Sequence, residues 1–338
     1  MHAIVHERLG LAGKVLELRV IAEPRPPAEG EALVRVTFAP IHRGDLLAVE
    51  GSPAFGDLVS LANGARIPGF EGVGIVEALG SAVVTGSQVN VGDRVAFFPV
   101  SGAWSERVIA PMTSLVRLPS EVTDEQAAHM LINTITARLV LSIGHNALPP
   151  ERKTSVTVIQ TGASSAVGQL LTALLIANGV NTIRLVRSEA SASTLAKRLP
   201  GPSIVSTDNA DWKDVLQREI DGRLIFTVFD GVGGEHLSEV ASFLVDGGTI
   251  VNYGSLGGAG TDIRGISPRS LVLRGVSIGE WKNDPPEQRR ADMDTALALI
   301  QKRPELFDDV SRFEAADITA AVAMMNLPGK SGAVLLSF

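Results

Sequence analysis

Residues 156–189 read "VTVIQTGASSAVGQLLTALLIANGVNTIRLVRSE". An apolar run gives way to a turn of small residues, then to a second apolar stretch of helical length, then to a third run that ends in charge. That order is strand, tight turn, helix, strand. Two strands joined through a helix lie parallel, and the crossover is right-handed. Parallel strands need helices on both faces of their sheet, so the stretch commits the chain to a doubly wound α/β layer. Within the turn, Gly162 permits the sharp reversal, and Ala163, Ser164, Ser165, Ala166 and Val167 keep it small. Gly168 lets the helix approach its neighbour closely. The first amides of that helix are available to an anion, most simply a pyrophosphate. The spacing is G-x-x-x-x-x-G rather than G-x-G-x-x-G, so an ordinary strand-to-helix turn that needs glycine fits the same letters.

The second strand ends in Arg187-Ser188-Glu189. In dinucleotide sites an acidic residue at this place accepts a hydrogen bond from a ribose hydroxyl. A cation beside a hydroxyl suits a 2′-phosphate instead, which points to NADPH. The plain alternative is a solvated surface arginine. Two later stretches, "FDGVGG" (229–234) and "NYGSLGG" (252–258), place glycines just past further strands. The carboxyl ends of parallel strands are where such sheets bind ligands.

The alternation continues around this unit. Strands are expected at 155–162, 182–187, 203–207, 224–231, 248–254 and 271–279, with helices at 166–179, 189–199, 210–219, 234–245 and 267–271. Residues 124–143 have helical periodicity and an acidic first turn. Before them the texture differs. Stretches 32–41, 72–80, 93–99 and 104–111 are short, Val- and Ile-rich, and bounded by Gly or Pro, which suggests a barrel-like β domain. The tail reads as an amphipathic helix, a second helix at "DITAAVAMMNL" and a last strand at "GAVLLSF". A parallel sheet is thus inserted into a β domain built from both chain ends. A chain of 338 residues is long for one core, consistent with two domains. The expected division is 1–123 with 281–338, and 124–280.

Composition narrows the function classes. A net charge of −7 with no basic run argues against nucleic-acid or anionic-membrane partners. The chain has no cysteine, which excludes disulfides, thiolate metal ligands and a cysteine nucleophile. No uncharged apolar run reaches the ~18–20 residues of a membrane span. The opening "MHAIVHERLG" lacks the basic and apolar regions of a secretory signal. The expectation is a soluble cytoplasmic protein acting on a small molecule.

In combination, "GFEGVGIVEALGS", "VGDRVAFF", "GAWSERVIAP", "GASSAVGQ", "DGVGG" and "VNYGSLGG" resemble the medium-chain dehydrogenase/reductase superfamily across almost the whole chain. The resemblance implies an α/β fold, a Rossmann doubly wound parallel sheet inserted in a GroES-like β-barrel catalytic domain. The zinc alcohol dehydrogenases of that superfamily place a His before Glu in a Gly-His-Glu motif. Here Phe70 stands at that place, before Glu71, and neither Phe nor a cysteine-free chain supplies the family's zinc ligands. Glu71, without metal neighbours, is read as structural. The zinc-independent branch of quinone oxidoreductases and 2-enoyl thioester reductases fits better. The second of these is the nearer likeness, through "INTITA" (132–137), "LVRSE" and "LRGVSIGEWKND" (273–284). It implies NADPH contacts at Asn133, at Ser164, Ser165, Ala166, Val167 and Gly168, and at Arg187 and Ser188. It implies others at Tyr253, Gly254, Ser255 and Leu256, and at Ser277. Thr136 is expected to line the nicotinamide pocket, and the family suggests a homodimer.

The chain also departs from that pattern. The enoyl reductases carry a Tyr whose hydroxyl acts near the substrate carbonyl. In "AVEGSPAFGDLV" the nearest match is Phe55, which has no hydroxyl. Their "PxNxxD" reads "PIHRGD" here, with His42 at the polar position. His42 can donate a proton near neutral pH, or it can be a loop histidine that merely hydrogen-bonds. Asp45 either orients His42 or caps the following helical turn. Lys330 lies close to, but not clearly at, the place of a family Lys near the C-terminus. Trp104 and Trp281 are read as packing residues. The leading expectation is an NADPH-dependent reductase of an activated C=C bond or a quinone. Its counterpart is a non-catalytic NADPH-binding protein, such as a redox sensor or structural subunit. Metal analysis of the purified chain should find no stoichiometric zinc, and zinc that survives chelation would overturn the zinc-independent reading.

Overall fold

The computed structural model describes residues 1–52, 64–81, 89–148, 156–255, 257–258, 260–262, 264–327 and 330–338. The chain divides into two compact units, one of Met1–Ile132 with Arg290–Phe338, the other of Asn133–Arg289. Both divisions fall inside helices.

The first unit opens with strands β1 (His2–Val5) and β2 (Glu17–Val20), around the single-turn helix α1 (Ala12–Val15). Then come β3 (Glu31–Pro40), helix α2 (Arg43–Glu50), β4 (Gly72–Leu79), β5 (Arg94–Phe97), β6 (Arg107–Pro111), β7 (Leu115–Arg117) and the short α3 (Asp124–Ala127). β3 is the spine of this unit. Its first half pairs with β6, its last residues pair with the C-terminal strand, and β4 runs along its other edge. The core gathers Val34, Val36, Leu46, Val76, Phe97, Leu115 and Val334 about Trp104. Trp104 is fully buried and donates its indole N–H to the Pro40 carbonyl at 3.0 Å, as a buried Trp must find an acceptor. Gly69 has φ +89°, and a Cβ there would run into the Trp104 ring. That glycine therefore lets the chain pass over the Trp and enter β4 with Glu71 turned inward.

The second unit follows helix α4 (Met130–Ala147). Its strands and helices alternate as β8 (Thr157–Gln160), α5 (Ala166–Ala177), β9 (Asn181–Val186), α6 (Glu189–Arg198), β10 (Ile204–Ser206), α7 (Trp212–Ile220), β11 (Ile225–Asp230), α8 (Gly234–Ala241), β12 (Leu244–Asn252) and β13 (Val272–Gly275). The six strands are parallel in the order β10-β9-β8-β11-β12-β13. The first half is a βαβαβ unit, the second is β11-α8-β12 joined to β13 through turns, and the strand order reverses between β8 and β11, the place where such sheets open a crevice. Both faces are covered. Val228 packs with Leu216, Ile220, Leu237 and Val240 of α7 and α8. The next residue, Phe229, points the other way, and α4 packs there so closely that a Cβ on Gly144 would enter its ring.

After the second unit come α9 (Pro286–Lys302), β14 (Val310–Glu314), α10 (Ile318–Met325) and β15 (Ala333–Ser337). β15 returns antiparallel to β3, so the β domain does draw on both chain ends.

Three local expectations need correction. The helix expected at 124–143 is broken. Thr123 and Gln126 cap α3 reciprocally, and α4 then starts anew because the Glu71 carboxylate accepts the amides of Leu131 and Ile132. Residues 267–271 form turns rather than a helix. Pro268 supplies no amide there, and Ser270 sits at φ +52°. The strand expected at 271–279 ends at Gly275, and a 3₁₀ turn covers Ile278–Asn283.

Gly168 is demanded by the turn itself, because a Cβ there would meet the carbonyl oxygen of Gly162 and the Ser165 hydroxyl. Gly168→Ala should cost about 1–3 kcal/mol of stability, the usual penalty of overpacking. Urea unfolding measures it, and an unshifted midpoint would mean that the turn yields.

Candidate functional site

In the second unit, the turn after β8 is drawn tight by Gly162 at φ +60°. The Ser165 amide donates to the Gly162 carbonyl at 3.0 Å, and the Ala163 amide donates to Leu185 of β9. The Ser165 hydroxyl caps α5 by accepting the Gly168 amide at 3.0 Å. Ala166 and Val167, the first two residues of α5, donate their amides to no group of the described residues. Gln160 pins this helix to β8, donating to the Gly168 carbonyl at 2.6 Å and accepting from Thr172. Free amides at a helix N-terminus, in a turn without bulky side chains, fit a phosphate.

Arg187 follows β9 directly. Its side chain is exposed, and among the described residues no ion pair or hydrogen bond engages it. Nearly every other arginine placed on this unit's strands and loops has a partner. Arg184, one turn of the pleat earlier, is buried and donates to the carbonyls of Leu199 and Pro202 at the end of α6. Burial brings the Arg184 guanidinium down to about 10. Ser188 is a helix cap, its hydroxyl accepting the Ser191 amide at 3.3 Å. The cation is thus left open while the serine beside it is partly committed.

The turns after β11 and β12 meet backbone to backbone. A Cβ on Gly254 would strike the Gly231 carbonyl, and one on Gly234 would strike Gly257. Asp230 organises both turns. It is fully buried, takes the Thr161 hydroxyl at 2.6 Å, the Gly233 amide at 2.9 Å and the Asn252 side-chain amide at 2.7 Å. Tyr253 follows Asn252. Its hydroxyl is buried and, among the described residues, has no hydrogen-bond partner at normal distance, the Gln160 side chain being the polar group nearest to serving it. Burial and then the Asp230 charge push that phenol well above its ordinary range, and Gln160, already committed elsewhere, offsets this only in part. An orphaned buried hydroxyl beside glycine turns, free helix amides and an open arginine form a donor set that fits a phosphorylated dinucleotide. Gly254 is half-buried and Ser255 is exposed on this loop. Leu256 and Phe55 lie outside the described residues. Asn133 is buried and Thr136 half-buried on α4, both with partners. Ser277 is exposed and accepts the Gly279 amide at 3.2 Å.

In the first unit, His42 lies between β3 and α2. Asp45 accepts the His42 backbone amide at 2.7 Å, so it caps the helix rather than orienting the imidazole. The orienting group is Glu71, whose Oε2 is 2.6 Å from His42 Nε2. Its Oε1 accepts the amides of Leu131 at 2.6 Å and Ile132 at 3.0 Å. A purely structural reading of Glu71 is therefore incomplete, because its carboxylate holds both a helix start and an imidazole. The Glu71 side chain is fully buried, and that of His42 is 16% exposed. Burial alone would pull His42 down. The Glu71 hydrogen bond, with the charges of Glu71 and Asp45, outweighs burial and the opposing Lys330 charge, and the imidazole is held above its ordinary value. Burial raises Asp45 to about 6. His129, at the α3–α4 break, is brought down to about 4 by burial and faces the Phe307 carbonyl. Among the described residues, no group of three or more His, Cys, Asp or Glu side chains could hold a metal ion.

Asp230 and Glu71 were the site residues least visible in the sequence. The only signals were an acid at a strand end before glycines, and an acid between two glycines at the start of an apolar strand.

Residues 28–120 match the alcohol dehydrogenase GroES-like domain family. A mitochondrial enoyl-[acyl-carrier-protein] reductase from Arabidopsis thaliana is 30% identical over 287 residues, covering 82% of this chain and 72% of the relative. Among solved structures, a mycobacterial protein complexed with NADPH superposes with a TM-score of 0.82 at 25% identity, covering 100% of both chains. Escherichia coli quinone oxidoreductase, also complexed with NADPH, does so with a TM-score of 0.83 at 22% identity and the same coverage. With a Rossmann sheet inserted in a GroES-like domain, and a relative of this identity along most of its length, the chain belongs to the medium-chain dehydrogenase/reductase superfamily, in the branch of enoyl reductases and quinone oxidoreductases.

Proposed function

We propose that this chain is a zinc-independent, NADPH-dependent reductase of an activated C=C bond, such as that of a 2-enoyl thioester, or of a quinone. The observation that carries the cofactor choice is Arg187, an open cation one residue past β9 and close in sequence to a phosphate turn with two free amides. In this reading Ser164, Ser165, Ala166, Val167 and Gly168 receive the pyrophosphate. Arg187 and Ser188 receive the 2′-phosphate. Asn133, Thr136, Tyr253, Gly254, Ser255, Leu256 and Ser277 complete the cofactor site. Bound NADPH supplies a hydride to the electrophilic carbon of the acceptor.

The acceptor oxygen that gains charge then needs a hydrogen-bond donor and a proton. Phe55 supplies neither. His42, held above its ordinary pKa and partly exposed, is the group we assign to that role. The non-catalytic reading is disfavoured by the kinship with named reductases. Zinc independence rests on Phe70 and the absence of cysteine. No helix among the described residues is long and apolar enough to cross a membrane, and a chain without cysteine fits a cytoplasmic location. β13 lies at the open edge of its sheet with Val272 51% and Leu273 42% exposed, which supports a homodimer formed along that edge.

Two experiments test this reading. The first follows NADPH oxidation with a simple quinone and with an enoyl thioester. Turnover is expected, and binding of NADPH without oxidation by any acceptor would restore the non-catalytic reading. His42→Gln should slow the enoyl reaction by about 10²-fold or more, the usual worth of a general acid. The quinone reaction should suffer less, because water can protonate its reduced oxygens. The second experiment is a cofactor titration. Arg187→Ala should weaken NADPH binding by roughly 1.5–3 kcal/mol, the worth of a charge-assisted hydrogen bond, and leave NADH binding nearly unchanged. Equal losses for both would show that Arg187 does not read the phosphate.

A further inference from the structure

The first unit buries an unusual number of ionisable groups in one place. His42 on the approach to α2 feels the charges of Glu71 at the entry to β4, Asp45 on α2 and Lys330 before β15, and itself acts on Asp45 and on His129 before α4. Most of these have a plain task. Asp45 caps α2. Lys330 donates to the Gly332 carbonyl and is lowered by its own burial. His129 faces a carbonyl, and burial keeps it neutral at ordinary pH. Glu71 alone has its two carboxylate oxygens divided between different jobs. Oε1 is spent on the Leu131 and Ile132 amides, and Oε2 lies 2.6 Å from His42 Nε2.

A carboxylate only accepts, so Nε2 must carry the proton in this pair. Because Oε1 is tied to two backbone amides of α4, Oε2 cannot swing away from the imidazole. The ring is thereby set in one orientation and one tautomer, and a second proton on Nδ1 makes it an imidazolium.

We propose that Glu71 is the positioning residue of the proton donor: anchored on the start of α4 through Oε1, it orients the His42 imidazole through Oε2. The proposal rests on the reductase reading. Once hydride has added to the acceptor carbon, the electron pair displaced from the double bond resides on the acceptor oxygen or its conjugated carbon. A new bond to hydrogen forms there as a ring N–H bond of the His42 imidazolium breaks. The imidazole is left neutral, still donating Nε2–H to Glu71, and takes its next proton from solvent.

Glu71→Gln keeps an acceptor for the α4 amides but presents an uncharged amide to His42. The test is a ¹⁵N NMR titration of the histidines in the full-length chain, with His42 identified by its loss in His42→Gln. In the parent protein, His42 should titrate above the ordinary histidine value near 6.5. In Glu71→Gln its pKa should fall by about one unit or more, the usual effect of removing an opposite charge within a few ångströms. Glu71→Asp should restore part of the difference. The sign for activity follows: the donor is lost as pH rises, so the basic limb of the NADPH-oxidation profile should move to lower pH in Glu71→Gln by the same interval. A His42 pKa below 6.5 in the parent, or one unchanged in a folded Glu71→Gln, would overturn the proposal. If Glu71→Gln does not fold, the parent titration and Glu71→Asp still decide it. A shifted titration with an unshifted rate profile would also overturn it, since His42 would then not be the donor. If no acceptor oxidises NADPH, the reductase reading fails, while the titration separately reads whether Glu71 governs His42.

Discussion

One buried carboxylate, Glu71, carries more of the first unit's organisation than any other side chain. It terminates the approach to α4, starts that helix anew at Met130 and fixes the ring of His42. Hydrogen bonds to a charged group contribute about 1.5–3 kcal/mol each, which is what makes it feasible to bury the side chain completely. Breaking such an arrangement by removing one partner costs about 3–5 kcal/mol, because the remaining charge is stranded. The same economy explains Gly69, whose positive φ lets the chain clear Trp104 just before the carboxylate enters the interior.

The second unit solves a different problem with a similar device. Its sheet must offer polar groups at the ends of β8, β9, β11 and β12 without leaving them disordered. Glycine turns allow the backbone to close tightly, but they carry no side chains to hold them in place. Asp230 does the holding, tying Thr161, Gly233 and Asn252 into one knot. Gln160 performs the corresponding service for the start of α5. Among the described residues of these turns, the two first amides of α5, the Arg187 side chain and the Tyr253 phenol stay open after these internal bonds are made. Those leftovers make these turns the candidate site, because a buried or pre-aimed polar group without a partner is where a ligand gains most by binding.

Much of this architecture is legible in the amino-acid order. Strand–helix alternation with nearly continuous apolar strands implies a parallel sheet, and the observed order of six strands is of that kind. The G-x-x-x-x-x-G turn and Arg187 sit where short-range pattern puts them, because a turn and a strand end are decided within a few residues. The break at Ala128–His129 was not legible, since the 124–143 stretch keeps one helical period throughout. A partner from far along the chain imposes the break. The strand β12 begins at Leu244, earlier than its glycine pair suggests, for a like reason: pairing with β11 at Ile225 extends it.

By itself, then, the amino-acid order determined the layers of the fold, the place of the glycine turn after β8, the cation after β9 and the absence of cysteine. These are properties of residue type and local period. Tertiary structure decided which polar groups meet. Glu71 reaches His42 across 29 residues and Leu131 across 60. Thr161 reaches Asp230 across 69. No local pattern encodes such pairs, because the partner of a buried polar group is set by strand register and helix docking. That is why a glutamate with no evident role in its motif emerges as the group that orients the histidine.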